Sequence, residues 1–110
     1  MSVAELTGDE LLEALSALAN PNRLRIISAL AGGRNYVSQL AREVGLSRPL
    51  LYMHLKKLED AGLVVGSLEL SEEGKAMKYY SVVPFELLLT PERIAAAVTS
   101  LNGGSQEREG

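Results

Sequence analysis

The chain has 110 residues, 46% of them hydrophobic, which is the size of one domain with a modest core. It contains no cysteine, which excludes disulfide bonds and thiolate metal sites. The net charge of −3 does not suggest a nucleic-acid partner, yet residues 21–57 alone carry seven basic residues and one acidic residue, a local field that can attract phosphate or form a solvated basic surface.

Two amphipathic helices are predicted at the start of the chain. Thr7 and Glu10 have the spacing of a capping box, and apolar residues then recur at helical spacing, so the first helix is expected over residues 8–19. Asn20 is expected to cap a second helix that begins at Pro21 and ends at the glycine pair 32–33. Its inward residues are expected to be Leu24, Ile27, Leu30 and Ala31.

A third helix is predicted after a short extended segment at residues 35–37. Ser38 is expected to cap it, and it should run over residues 39–44 with an apolar inner face. Gly45 should end it, because glycine adopts the left-handed conformation at little cost. The residues expected to face inward are Leu40, Ala41 and Val44.

A fourth helix is predicted immediately beyond this tight turn. Ser47 is expected to cap it, Pro49 lies in its first turn, and it should cover residues 48–60. Leu51, Leu55 and Leu58 recur at helical spacing and should point into the core. Two helices joined in this way form a helix-turn-helix.

The sequence period changes after the fourth helix. Residues 63–70 and 77–83 predict two strands, joined by turn-forming residues 71–75. Thr90 and Pro91 are expected to open a last helix that ends before the glycine pair 103–104, and residues 105–110 form a polar tail that we expect to fray. The predicted fold is mostly α with a β-hairpin wing: one winged helix-turn-helix domain over residues 1–104, with four helices, a two-stranded wing and a C-terminal helix.

The outward face of the fourth helix is the predicted DNA-contacting surface, because the second helix of a helix-turn-helix enters the major groove. Arg48 is expected to bond guanine with help from Tyr52, while Met53 either reads bases or packs on the hairpin. The full predicted set is Arg48, Pro49, Leu50, Tyr52, Met53, Lys56, Lys57, Arg23, Arg42, Ser38, Ser47, Lys75 and Lys78. Of these, Arg23, Arg42, Lys56 and Lys57 are expected to hold phosphates.

Two further features of this surface have open alternatives. Lys75 and Lys78 flank a wing turn that carries Glu72 and Glu73, so a hairpin that only covers the core is the alternative to a DNA contact. His54, the only histidine, is interpreted as a partly buried residue that bonds a neighbour or a phosphate, since no cysteine or aspartate lies at ligand spacing.

Apolar stripes on the first and last helices predict a homodimer seam, with packing inside a single core as the alternative. The predicted seam residues are Leu11, Leu12, Leu15, Leu18, Ile94, Ala97, Val98 and Leu101.

Several runs of sequence resemble the ArsR family of winged-helix repressors. They are LANPNRLRII at residues 18–27, SQLA and GLS within residues 38–47, and LYMHLKKLEDAGLV at residues 51–64, with Tyr79 and Tyr80 similar to the end of the family's second wing strand. The MarR and TrmB families share part of the third run, and the hairpin is longer than the usual ArsR wing. The resemblance implies a dimer built from the first and last helices, a palindromic operator read in successive major grooves about 34 Å apart, and repression released by an effector.

The sequence departs from the metal sensors of that family. Their third-helix site uses paired cysteines, and the matching positions here are Tyr36 and Ser38; their last-helix site uses Asp, His and Glu, and this last helix has no histidine. We therefore expect no cofactor and no Cys/His metal-sensing site. The resemblance leaves the effector unidentified.

The sequence as a whole predicts a cytoplasmic homodimer that binds double-stranded DNA as a transcriptional regulator, most simply a repressor. No signal peptide or membrane span is expected, because residues 1–10 have no basic and apolar pattern and no apolar run reaches about 20 residues. An enzyme is disfavoured, since no nucleophile–base set or phosphate loop is present. The alternative is a winged-helix module that binds another protein, which the acidic ends and acidic wing turn would suit.

Overall fold

The computed structural model describes residues 6–101 and contains five helices and three strands in that part of the chain. The elements are α1 (Gly8–Leu18), α2 (Pro21–Ala31), β1 (Asn35–Tyr36), α3 (Val37–Val44), α4 (Arg48–Asp60), β2 (Val64–Leu70), β3 (Ala76–Val82) and α5 (Pro91–Val98). The mostly helical class with a hairpin wing is confirmed. The predicted glycine stop at residues 103–104 and the tail at 105–110 lie outside the described residues.

The predicted caps of the first two helices are confirmed. The Thr7 hydroxyl accepts a hydrogen bond from the Glu10 amide at 3.1 Å, and the Glu10 carboxylate accepts one from the Thr7 amide at 3.0 Å. The Asn20 side chain accepts from the amides of the first turn of α2. Each cap satisfies amides that the helix itself leaves unpaired, so the chain can change direction between α1 and α2 within two residues.

The start of α3 differs from the prediction. The helix begins at Val37, so Ser38 lies inside its first turn and is not the cap, and Tyr36 holds the cap position without a side-chain hydrogen bond. Val37 is therefore helical and buried instead of extended. The physical reason is a strand pairing that the sequence pattern did not predict: Asn35 and Tyr36 pair antiparallel with Tyr80 and Tyr79, which keeps the backbone extended up to Tyr36.

The sheet consequently has three strands, in the order β1-β3-β2. Strands β2 and β3 form the predicted hairpin, with Val64 opposite Val82 at its base and Leu70 opposite Ala76 near its tip. Strand β1 pairs with the middle of β3, at Tyr79 and Tyr80, and continues directly into α3.

The core lies between the helices and the base of this sheet. Its fully buried large side chains are Ile26, Leu30, Leu40, Leu51, Leu55, Leu58 and Leu63. The prediction for α2 was partly wrong: Leu24 is 54% exposed and Ala31 is also exposed, whereas Ile26 is fully buried. Ile26 and Leu30, one turn apart, belong to the core cluster, because two apolar stripes compete on α2 and tertiary packing selects between them.

The turn between α3 and α4 has the geometry expected of a helix-turn-helix. Gly45 has φ of 71° and ends α3 in the left-handed conformation. The amides of Gly45 and Leu46 both donate to the Ala41 carbonyl, which closes the turn. Ser47 then caps α4 by accepting from the Leu50 amide, so the orientation of α4 is fixed within three residues. In the part of the chain that the structure describes, no helix has the length and apolar character needed to cross a membrane.

Candidate nucleic-acid interface

The two faces of α4 are sharply different. Leu51, Leu55 and Leu58 are fully buried, as predicted from their spacing. On the opposite face every predicted contact residue is exposed, and these are Arg48, Pro49, Leu50, Tyr52, Met53, Lys56 and Lys57. Helix α4 is thus anchored by its inner leucines and offers a mixed basic, aromatic and apolar surface to solvent.

The cations of this surface differ in their partners. Lys56 donates to the Asp60 carboxylate at 2.8 Å, one turn along the helix, and this bond raises the pKa of Lys56. Exposed pairs of this kind are weak, so a phosphate can replace the carboxylate. Arg48 and Lys57 have no ion-pair partner among residues 6–101, and Arg42 of α3 is exposed. The structure therefore leaves these cations available to an external anion.

Arg23 has a different position from the one predicted. Its guanidinium donates to the carbonyl of Ala17 at 2.6 Å and approaches that of Ser16 at 3.5 Å, at the end of α1. It also lies 3.1 Å from Nδ1 of His54 on α4. These three contacts tie α2 to α1 and to α4. Because the guanidinium is hydrogen-bonded to other residues of the protein, Arg23 is not one of the proposed phosphate contacts.

His54 bonds a neighbour, which agrees with one of the predicted alternatives, but it is more fully buried than predicted, with 6% of its surface exposed. Arg23 can only donate, so Nδ1 of His54 accepts and the ring is neutral. Burial, together with the nearby Arg23 charge, lowers the pKa of His54. The neutral ring is therefore the form that the fold stabilises.

This pair predicts a pH-dependent stability. The pKa of His54 in the unfolded chain is about 6.5 and is lower in the folded protein, so the unfolded chain takes up the extra proton first as the pH falls. The free energy of unfolding should fall below about pH 6.5, by up to about 1.4 kcal/mol per pH unit from this group, until the folded pKa is passed. The measurement is urea unfolding of wild type and His54→Gln between about pH 7.5 and pH 5.

The variant controls for the other titrating groups, because glutamine keeps an acceptor for Arg23 but takes up no proton. We expect a shallower pH dependence for His54→Gln than for wild type. Parallel curves for the two proteins would show that His54 does not contribute.

The wing is held against the segment before α3 by side chains to which the sequence analysis assigned no role. Arg34 pairs with Glu69 of β2, and its guanidinium lies 4.1 Å above the ring of Tyr79. The ring of Tyr79 meets that of Tyr36 edge-on at 5.9 Å. The cluster depends on the pairing of β1 with β3, which brings Tyr36 beside Tyr79. It fixes the hairpin relative to α3.

The wing tip is polar and exposed. Lys75, Glu72 and Glu73 are all exposed at the turn, which is closed by a bond from the Ser71 amide to the Lys75 carbonyl. The geometry therefore brings one cation and two carboxylates to the tip, and wing–DNA contact stays a prediction.

A cleft of about 250 Å³ lies between the wing, the start of α3 and the start of α4. Its polar lining residues are Tyr36, Ser38, Arg48, Tyr52 and Lys78. The structure thus brings together four residues that were predicted separately as DNA contacts: Arg48, Tyr52, Ser38 and Lys78.

Seven of the eight predicted seam residues line one groove between α1 and α5. An apolar groove of about 150 Å³ runs between α1 and α5 and includes Leu11, Leu12, Leu15, Ile94, Ala97, Val98 and Leu101. The helices are held together by a 2.9 Å bond from the Gly8 amide to the Ser100 hydroxyl. No residue of α5 is buried, and Leu12 and Val98 are each 55% exposed. Leu18, also predicted at the seam, packs against the core.

Comparison with known proteins identifies the family. A family model described as "Bacterial regulatory protein, arsR family" matches residues 20–65, from the cap of α2 to the first residues of β2. An uncharacterized HTH-type transcriptional regulator of Methanocaldococcus jannaschii, MJ0229, is 41% identical over 78 residues, which cover 71% of this chain and 81% of that protein. The chain belongs to the ArsR family of transcriptional regulators.

Other transcriptional regulators are similar to this chain. The transcriptional regulator CmtR of Mycobacterium tuberculosis is 38% identical over 79 residues, or 72% of this chain and 64% of CmtR. A solution structure from Mycobacterium bovis, described as a homodimeric winged helix-turn-helix DNA-binding domain of a possible ArsR-family regulator, has a TM-score of 0.62 at 26% identity and covers 83% of this chain and 73% of that one. This ArsR-family chain is accordingly a transcriptional regulator with a winged helix-turn-helix fold, and not an enzyme.

Among residues 6–101, no three His, Cys, Asp or Glu side chains form a group that could hold a metal ion. The expected lack of a metal-sensing site in this ArsR-family member stays a prediction.

Proposed function

We propose that this ArsR-family protein is a sequence-specific DNA-binding repressor that acts as a homodimer in the cytoplasm on a palindromic operator. The observation that carries the proposal is the outward face of α4, where exposed cations and exposed apolar side chains lie on a helix anchored by three fully buried leucines. A rigid helix with such a face fits the major groove of DNA.

Each part of the face has a role in this proposal. Arg48, at the first position of α4, donates to the O6 and N7 atoms of guanine, and Tyr52 and Met53 contact neighbouring base edges. Pro49 and Leu50 pack against thymine methyl groups, for which apolar side chains are suited. The phosphate contacts are Arg42, Lys56 and Lys57, and the hydroxyls of Ser38 and Ser47 lie at the starts of the two helices.

The homodimer follows from the α1–α5 groove. It leaves half-exposed apolar side chains on a small domain, and the structurally similar protein from Mycobacterium bovis is described as homodimeric. A twofold axis at this groove gives each protomer one half-site, so that two copies of α4 occupy successive major grooves about 34 Å apart.

The proposed repressor has no Cys/His metal-sensing site. The sequence has no cysteine, and its one histidine is buried and bonded to Arg23. The effector of the proposed repressor is therefore not a metal ion held by cysteine and histidine ligands.

The test is the salt dependence of binding to mixed-sequence duplex DNA. Three phosphate-contacting cations in each of two protomers predict a slope of about −5 for the logarithm of the binding constant against the logarithm of the salt concentration. Lys57→Gln, which removes one cation from each protomer, should reduce the slope by about 2 units.

The matched control is Arg25→Gln, which removes an exposed cation of α2 that lies outside the proposed interface. Its slope should equal that of wild type. If wild type binds no duplex at low salt, the DNA-binding proposal is overturned and a protein-binding winged-helix module takes its place.

A further inference from the structure

The cleft between the wing and the helix-turn-helix has an unusual lining for a chain with a net charge of −3. Its side chains comprise two cations, Arg48 and Lys78, and three hydroxyl groups, from Tyr36, Ser38 and Tyr52. The remaining lining residues are apolar, and among residues 6–101 no carboxylate lines the cleft. Positive charge and hydroxyl donors around one cavity are suited to an anion with several acceptor oxygens.

Neither cation of the cleft is neutralised by the protein. Within residues 6–101, the two ion pairs are Arg34–Glu69 and Lys56–Asp60, and neither includes Arg48 or Lys78. The Lys78 ammonium lies 5.6 Å from the centre of the Tyr80 ring, which orients it without cancelling its charge. Both charges therefore act on whatever enters the cleft.

The start of α3 adds to the same field. Tyr36, Val37 and Ser38 all line the cleft, and the side chain of Tyr36, at the cap position, makes no capping hydrogen bond. The first amides of a helix have no partner within the helix, and the helix dipole favours a negative charge there. This contribution supports a site that the side chains already define.

We propose that the cleft binds a phosphate group between Lys78, the Ser38 hydroxyl and the first turn of α3, with the charge of Arg48 at its edge. The phosphate comes either from the DNA backbone, in which case the inference rests on the proposed function, or from a small free phosphorylated molecule. In the second case the occupant engages Arg48 and Tyr52, so it competes with DNA and has the properties of an effector.

The first arm of the test uses the DNA-free protein and inorganic phosphate as the probe. Amide chemical shifts are followed by NMR during a titration with sodium phosphate, against sodium chloride at matched ionic strength. We expect saturable shifts of the Ser38 and Gln39 amides with phosphate alone. Lys78→Gln should weaken this binding about tenfold, the loss typical of one charge-assisted hydrogen bond. Lys78→Arg, which keeps the charge, should retain it, and Arg25→Gln should match wild type.

The second arm distinguishes the two sources of the phosphate. DNA binding is measured with and without inorganic phosphate at constant ionic strength. If Lys78→Gln without phosphate binds duplex more weakly than wild type and with a smaller salt slope, the phosphate is that of the DNA backbone. If Lys78→Gln binds duplex as wild type does but is no longer displaced by inorganic phosphate, the occupant is a free phosphorylated molecule. Saturable phosphate binding that leaves the duplex affinity of wild type unchanged would overturn both assignments.

Absence of saturable shifts, or equal phosphate affinity in wild type and Lys78→Gln, would overturn the proposal. The first arm contains no DNA, so its result does not depend on whether the protein binds an operator. A protein that binds phosphate in the cleft but no duplex would refute the proposed function and leave the anion site standing.

Discussion

Val98→Glu should convert the protein to a monomer and lower its affinity for a two-half-site operator by about 100- to 10,000-fold, the gain that linking two binding units provides. Val98 lies on α5 in the α1–α5 groove and is 55% exposed in the single chain. In a twofold interface each substitution occurs twice, so two carboxylates would enter one apolar seam. Sedimentation velocity measures the assembly state, and titration of an operator duplex measures the affinity.

The position of Val98 allows a loss of dimer to be distinguished from a loss of fold. Its side chain is not part of the buried core, so a glutamate there should leave the fold of the protomer intact, which circular dichroism can check. Leu12→Glu on α1 lies on the other wall of the groove and should give the same result.

Leu70→Glu is the matched control for assembly, because Leu70 is 75% exposed near the wing tip and lies outside the groove. Its oligomeric state should be that of wild type. If Val98→Glu and Leu12→Glu both remain dimeric, the seam lies elsewhere on the molecule.

Arg48→Ala should reduce the affinity for a selected operator by about tenfold to a hundredfold per half-site, which is the discrimination that a bidentate arginine–guanine contact provides. Arg48 is exposed at the first position of α4 and has no ion-pair partner among the described residues. Its removal costs the folded protein little. The affinity for random duplex should change far less, so the ratio of specific to non-specific binding should fall.

The contrast with Lys57→Ala separates base reading from phosphate binding. Lys57 is proposed to contact the backbone, so its loss should weaken operator and random duplex by similar factors and leave their ratio unchanged. Both ratios come from competition titrations at one fixed salt concentration. An unchanged ratio in Arg48→Ala would mean that Arg48 does not read bases.

Local signals predicted much of this architecture. The capping residues Thr7, Asn20 and Ser47 fixed three helix starts, and the glycine at position 45 marked the turn. Such signals act within one turn of helix, so they can be read from neighbouring residues. The three leucines of α4 form a single apolar stripe, and the position of that stripe predicted which residues face outward.

The predictions failed where distant parts of the chain meet. The residues beside Asn35 and Tyr36 give no signal that these two pair with Tyr80 and Tyr79, more than 40 positions later. This pairing keeps the chain extended up to Tyr36, so α3 begins at Val37. The hydrogen bonds of Arg23 were not predicted either, because its partners belong to α1 and α4. The cleft could not be foreseen for the same reason, since its walls come from three separate segments.

The continuity of β1 with α3 has a mechanical consequence. Tyr36 is both the last residue of the strand and the cap of the helix, so no hinge separates the sheet from the helix-turn-helix. Arg34, Glu69 and Tyr79 brace the same junction. We therefore expect the wing and α4 to meet the proposed operator as one rigid unit. In the proposed dimer, any adjustment to the half-site separation would then come from the angle between the two protomers, and an effector would act by changing that angle.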